Sequence, residues 1–306
     1  MDFSVVVPTY NRRQVLVKCL DAIETNTDAV ELIVVNGPST DGTSGMVRNR
    51  SDVDILLEVA ERNINVARNA GITTASGDVI AFINHCYGPG PGWQQAVTGA
   101  ITDGAAVISG PVDNNTGLIN ERLDWFDTGF DLTSGNIAMN REAIVSTDGF
   151  DEYLKVGGIA DLAHRLRGLR VDSRWSGGMR VRSFEESQPD DERWTIPFLE
   201  DEKAQWGLRY RSLGYILAKN YGIRPRVPWW LGRRAFVDAG GGARDVIKGT
   251  IPPTSWFANG WAVVSNGGAG IKAGLLARRR DPTATRNPNG VSMRLDRIVD
   301  RYDQNH

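Results

Sequence analysis

Along residues 1–110, short apolar runs rich in β-branched residues alternate with segments whose apolar positions recur at helical spacing. The first kind predicts strands at Phe3–Val7, Glu31–Val35, Asp54–Val59, Val79–Ile83 and Ala106–Ser109. FSVVV and LIVV are almost uninterrupted by polar residues, as expected of strands covered on both faces. The second kind predicts helices over Gln14–Glu24, Gly42–Arg50, Val66–Ala75 and Trp93–Ile101. This alternation predicts an α/β fold: a mostly parallel sheet flanked by helices, with right-handed crossovers. Such sheets bind ligands beyond the carboxyl ends of their strands. Thr9 and Tyr10 follow the first run, Asn36 the second, and Asn84-His85-Cys86 the fourth.

Beyond residue 110 the pattern is less regular. SGNIAMNREAI (134–144) and GFDEYL (149–154) precede GIADLAHRLRGLR (158–170), a helix with Leu162, Leu166 and Leu169 at helical spacing. WTIPFLEDEKAQWGLRYRSLGYILAKNYG (194–222) places Tyr210, Leu213 and Leu217 on one stripe, and Pro225 and Pro228 end that helix. Residues 229–280 are rich in Gly, Trp and Arg, and GGGAR (240–244) reads as a flexible turn. The expected division is an α/β domain over residues 1–188 and a helical, basic C-terminal extension over 189–306.

Composition narrows the class. Of 306 residues, 41% are hydrophobic and 24% charged, enough for a core and too apolar for a disordered chain. No apolar run reaches the length of a membrane span. The N-terminus runs almost directly into FSVVV without the basic start and cleavage site of a signal peptide. Cys19 and Cys86 form no spacing motif. A cytoplasmic protein is the expectation.

Charge is divided unevenly: residues 1–204 carry 18 Lys and Arg against 31 Asp and Glu, whereas residues 205–306 carry 17 against 6. A basic tail on an acidic body either folds back on that body or meets an anionic partner. Trp229 and Trp230 adjoin Arg233 and Arg234, Trp256 and Trp261 lie farther on, and Arg278–Arg280 form a cluster. That is the composition of an anchor on an anionic membrane, so the expected place is the cytoplasm or, peripherally, the inner face of the cell membrane. The alternative is that the tryptophans pack the tail internally. No nucleic-acid partner is expected.

SVVVPTYNR (4–12), STDGT (39–43), VARNAGI (66–72), GDVIAFI followed by PGPGW (89–93), SGNIAMNREA, GFDEYL and the acidic helix start at Asp161 together resemble the family 2 inverting glycosyltransferases of GT-A fold. The likeness covers roughly residues 3–185. It implies transfer of a sugar from a nucleoside diphosphate sugar to a glycan or lipid-linked acceptor. It also implies a Rossmann-like GT-A sheet. On this resemblance Pro8, Thr9, Tyr10 and Asn11 embrace the nucleotide base, with Tyr10 available to stack; the other reading of PTYN is a strand-ending turn. Asn36 stands where the family has an aspartate facing the base. Ser39 and Asp41 read as helix caps. Arg68 corresponds to a residue near the diphosphate, or belongs to a structural salt bridge.

The family's Asp-x-Asp falls on Asn84 and Cys86, flanking His85. In relatives those carboxylates contact ribose and hold Mg²⁺ or Mn²⁺; an amide, an imidazole and a thiol are poor ligands for such hard ions. No metal ligand is therefore assigned, and metal-independent transfer is the expectation. Asp161 corresponds to the general base that takes the acceptor proton; its other reading is a carboxylate stabilising a helix start. A relative that has lost catalysis and serves as a scaffold or a regulatory nucleotide-binding partner is the alternative. A nicotinamide dehydrogenase is disfavoured, because no G-x-G-x-x-G follows the first strand.

Overall fold

The computed structural model describes residues 1–114, 117–119, 132–133, 135–184, 202–222, 224, 226–249, 252–283, 285 and 298–303. The chain forms two compact units: Met1–Tyr153 with Gly158–Ser187 and Thr285–His306, and Leu154–Gly157 with Gln188–Ala284. The first unit opens with β1 (Phe3–Thr9), α1 (Arg13–Asn26), β2 (Val30–Asn36), α2 (Thr43–Arg48), β3 (Ile55–Val59), α3 (Ile64–Thr74) and β4 (Val79–Ile83). It continues through β5 (Tyr87–Pro89), α4 (Trp93–Thr102), β6 (Val107–Ser109), β7 (Val112–Asn114), β8 (Gly117–Ile119) and β9 (Asn136–Asn140). Then follow α5 (Arg141–Ser146), α6 (Gly158–Gly168), β10 (Ser173–Trp175) and β11 (Val181–Ser183). The second unit holds α7 (Glu202–Tyr221), α8 (Arg226–Ile247) and α9 (Pro253–Arg280), before β12 (Ile298–Asp303) closes the chain.

The main sheet has the order β10-β6-β9-β4-β1-β2-β3-β12. Its centre is parallel, and β9 runs antiparallel between β4 and β6. A smaller sheet has the order β5-β11-β7-β8. The continuous apolar runs are explained by cover on both faces. Val5, Val7, Leu32 and Val34 pack with Leu16, Leu20 and Ile23 of α1. Val6, Ile33, Val35 and Phe82 pack with Val66 and Ala70 of α3 and with Ile159, Leu162 and Leu166 of α6. Each such side chain contributes roughly 1.5–3 kcal/mol on burial, so the strand register is strongly fixed. In that register Thr9 pairs with Asn36, bringing the ends of β1 and β2 level.

Two expectations for the C-terminal region change. Residues 285–306 belong with the first unit rather than with a helical extension spanning 189–306: β12 pairs antiparallel with β3 and covers what would otherwise be an open sheet edge. GGGAR lies inside α8 rather than in a turn. Gly242 is needed there because an added Cβ would stand 2.7 Å from Cδ1 of Trp256, whose indole N–H donates to the Ala239 carbonyl at 3.1 Å. Pro228 sits in the first turn of α8, where a backbone N–H has no helical acceptor to lose. Residues 194–201 and Pro225 lie outside the described residues.

Candidate functional site

At the carboxyl ends of β1 and β2 two loops are tied together by short polar side chains. Asn11, in a left-handed conformation (φ 49°), receives a hydrogen bond from the Thr40 amide at 2.8 Å on its Oδ1. Its own amide donates to Ser39 Oγ at 2.8 Å. Ser39 Oγ donates in turn to Asn36 Oδ1 at 2.6 Å, and Asn36 Nδ2 donates to Ser44 Oγ at 2.8 Å. Asn36 is 1% exposed, so it acts first as the hub of this loop pair. Asp41 accepts from the amides of Arg13 and Thr43 and from the Thr43 hydroxyl; these bonds hold its carboxyl below the usual range although burial pulls the other way. The cap expected of Ser39 or Asp41 does not form: Gly42 holds the N-cap position of α2 without a side-chain cap bond, Asp41 closes a turn onto Thr43, and Ser39 joins Asn36 to Asn11. Tyr10 lies beside Gly37, with the Arg62 guanidinium 4.6 Å from its ring centroid.

Asn84, His85 and Cys86 follow β4 directly, next to the end of β1. His85 is buried, and Nδ1 lies 3.3 Å from the Pro8 carbonyl. Burial pushes its pKa down to about 4; the Pro8 bond opposes the shift and the Arg12 charge adds to it. The ring is therefore neutral near pH 7, with Nδ1–H donated and Nε2 left as the acceptor. Cys86 is buried, 5% exposed, and outside any disulfide among the described residues. The Asn84 amide donates to the Gly135 carbonyl at 2.9 Å, and an added Cβ on Gly135 (φ 89°) would stand 2.6 Å from the Asn84 Cβ. Only glycine tolerates both that φ and that approach. Two buried oxygens at these neighbouring strand ends, Thr9 Oγ1 and Asn84 Oδ1, have no hydrogen-bond partner among the described residues. An unsatisfied buried oxygen costs about 1–3 kcal/mol, so each of the two can take a hydrogen bond from a water or a ligand.

Arg68 rises from α3. It is 3% exposed, with Nη1 at 3.3 Å from Asn65 Oδ1, its guanidinium 5.0 Å from the Phe150 ring centroid, and Nε without a partner. Among the described residues no carboxylate pairs with it, so the salt-bridge reading of Arg68 is not the one the geometry takes up. Burial lowers its pKa to about 10. Around it Asn63, Asn65 and Asn69 bind the 150–152 loop: Asn69 Nδ2 donates to Phe150 O and Glu152 Oε1, both at 2.8 Å. Gly158, the first residue of α6, lies against the Asn65 amide.

Asp161 stands inside the fold. It is 0% exposed and accepts from Arg165 Nε at 2.9 Å, while Arg165 Nη1 donates to the carbonyls of Thr147 at 2.5 Å and Gly149 at 2.8 Å. Arg165 is also fully buried. A general base must reach the acceptor hydroxyl, and in this arrangement the Asp161 carboxylate reaches Arg165 instead. The structure thus gathers Pro8, Thr9, Tyr10, Asn11, Asn36, Asn84, His85 and Cys86 at the ends of β1, β2 and β4, with Asp161 held in the core by a separate ion pair. Arg62, Arg165, Ser39 and Ser44 complete these arrangements. Of them Ser39 carried a cap signal and Arg165 the i, i+4 spacing from Asp161 on one helix face, whereas Arg62 and Ser44 carried none.

The donors at residues 84–86 do not fit a hard divalent cation, which asks for several oxygen ligands in near-octahedral array. Among the described residues no group of three or more His, Cys, Asp or Glu side chains is placed to hold a metal ion.

Comparison with known proteins follows this geometry. Residues 4–144 match the family described as Glycosyl transferase family 2. The chain is similar to the glycosyltransferase AglE of Haloferax volcanii, 32% identical over 134 residues, which are 40% of this chain and 44% of AglE. It is also similar to validoxylamine A glucosyltransferase of Streptomyces hygroscopicus subsp. jinggangensis, 34% identical over 104 residues, 32% of this chain and 25% of that protein. The chain thus spans less than half the length of these curated relatives. Among solved structures, the mannosyltransferase PcManGT from Pyrobaculum calidifontis, in complex with GDP-Man and Mn²⁺, superimposes with a TM-score of 0.54 at 19% identity, over 90% of this chain and 85% of that one. At that identity the likeness concerns the fold, a GT-A-type sheet with helices on both faces and a helical C-terminal part.

Proposed function

We propose, taking residues 4–144 as a glycosyl transferase family 2 region, that the chain transfers a sugar from a nucleoside diphosphate sugar to a glycan or lipid-linked acceptor with inversion. The observation that carries this reading is the pair of unpartnered buried oxygens, Thr9 Oγ1 and Asn84 Oδ1, beside the tied β1 and β2 loops. In this reading the nucleoside enters beside Tyr10, with Asn11, Asn36 and the loop amides shaping its seat. Ribose hydroxyls satisfy Thr9 and Asn84, and His85 Nε2 accepts from the same ligand. Arg68 meets the diphosphate, because a buried guanidinium without a carboxylate is a ready partner for phosphate oxygens. Protein cations then stabilise the leaving group, a role the residues at 84–86 do not suit a metal to play. Asp161 serves as the base once acceptor binding draws its carboxylate from Arg165.

The burial of Asp161 favours a second reading, a nucleotide-sugar-binding protein that acts as a scaffold or regulatory partner without turnover. A thermal-shift panel of nucleoside diphosphates and their sugars, run with EDTA and with Mn²⁺, separates the possibilities when paired with a transfer assay. Stabilisation in EDTA with transfer supports the enzyme, and stabilisation without transfer to any acceptor supports the second reading. No response to any nucleotide overturns both.

A further inference from the structure

The helical unit presents apolar surface that its own fold leaves uncovered. On α8, Trp229, Phe236 and Ile247 are 60%, 80% and 85% exposed. Their spacing brings them back to one side of a 3.6-residue helix. On α9, Phe257, Trp261 and Val264 are 67%, 71% and 68% exposed and fall at i, i+4 and i+7, again one side. These are the residue types a monomer ordinarily buries. The inner surface of α9 is already committed: Gly270 and Gly274 let it close on the backbone of Arg211 and Tyr215 in α7, and those glycines are buried.

Cations flank both stripes. Arg233, Arg244 and Lys248 are exposed on one flank of the α8 stripe, and Lys272 holds the corresponding place on α9. Arg279 and Arg280, also exposed, end α9. The Arg233 guanidinium lies 5.9 Å from the Trp229 ring centroid, keeping cation and aromatic together. Against these stand Asp238, closed by Arg234 at 2.8 Å and by the Tyr210 hydroxyl at 2.7 Å, and Asp245. No helix among the described residues is long and apolar enough to cross a membrane.

We propose that α8 and α9 dock the protein flat on an anionic phospholipid bilayer. The two aromatic stripes enter the boundary between headgroups and acyl chains, and the flanking Arg and Lys side chains meet lipid phosphates. The inference deepens the lipid-linked acceptor named above, but it rests on the surface of the helical unit and stands or falls separately from sugar transfer.

The test is flotation of the full chain with vesicles of phosphatidylcholine containing a minority of phosphatidylglycerol, beside vesicles of phosphatidylcholine alone. The chain is expected to float with the anionic vesicles and to lose that binding in high salt. Replacing Trp229, Phe236 and Trp261 together by Ser is expected to weaken flotation by on the order of tenfold or more. Each of Arg233→Gln and Lys272→Gln is expected to weaken it about fivefold. All substituted positions are exposed, so circular dichroism and the nucleotide thermal shift should match the unsubstituted chain. Failure to float, or equal flotation of the Ser variant, overturns the proposal. So does lipid-free self-association that the Ser substitutions abolish, because the stripes would then be covered by a second copy.

Discussion

Asp161→Asn removes one charge from a fully buried pair and leaves the other. Arg165 would keep its bonds to the Thr147 and Gly149 carbonyls but lose the carboxylate 2.9 Å from Nε, and its Nη2 already lacks a partner. Breaking a buried pair from one side typically costs about 3–5 kcal/mol, because the remaining charge stays desolvated. For a domain of this size about 1 kcal/mol lowers the melting temperature by about 2–4 °C, so the loss should be on the order of 10 °C. The double variant Asp161→Asn with Arg165→Met removes both charges and should recover much of that loss. Differential scanning calorimetry of the three proteins, beside a transfer assay, decides. An unchanged melting temperature for Asp161→Asn, whatever its effect on transfer, would refute the reasoning from the buried pair.

Other outcomes follow from the same physics. His85 holds a pKa of about 4 in the fold against an ordinary 6.5, so between those values the unfolded chain binds a proton that the fold excludes. Stability is complete above that window and falls as pH drops through it, by about 3 kcal/mol at its lower end, and His85→Gln should flatten the fall in urea titrations at graded pH. Asn36→Ala frees Ser39 and Ser44 and should cost about 1–3 kcal/mol by chemical unfolding, with weaker nucleotide binding. Gly270→Ala drives a methyl into the Arg211 carbonyl and should cost at least about 1–3 kcal/mol, whereas Gly268→Ala, which faces open space, should be neutral or mildly stabilising in the same assay.

The sheet was legible because burial on both faces leaves a chemical trace: FSVVV and LIVV had to be strands, and their ends had to lie at one edge. The loop residues were legible as a set for the same reason. What each does there was not, since the bonds that occupy Asn36 join serines on another loop, and sequence spacing does not encode which side-chain atoms are already used. Asp161 shows the limit most clearly. A carboxylate opening a helix reads alike whether or not an arginine one turn on is its partner, and the buried pair with Arg165 is visible only in the fold. In α8 the glycines at 240–242 obscured the helix, because their low helical propensity gave no sign of the Trp256 ring that requires one of them. The return of β12 to the sheet was illegible too, for pairing across so long a separation depends on an open edge rather than on local pattern.

The account's central claim is that protein cations and unpartnered strand-end oxygens, not a metal held at residues 84–86, receive a nucleoside diphosphate. Calorimetric titration of UDP and GDP into the full chain in EDTA, repeated with Arg68→Met, tests it most directly. Binding of one of them in EDTA, weakened by about tenfold or more in Arg68→Met while its fold stays intact, is the predicted result. Binding that appears only with Mn²⁺, or that is indifferent to Arg68, would contradict it.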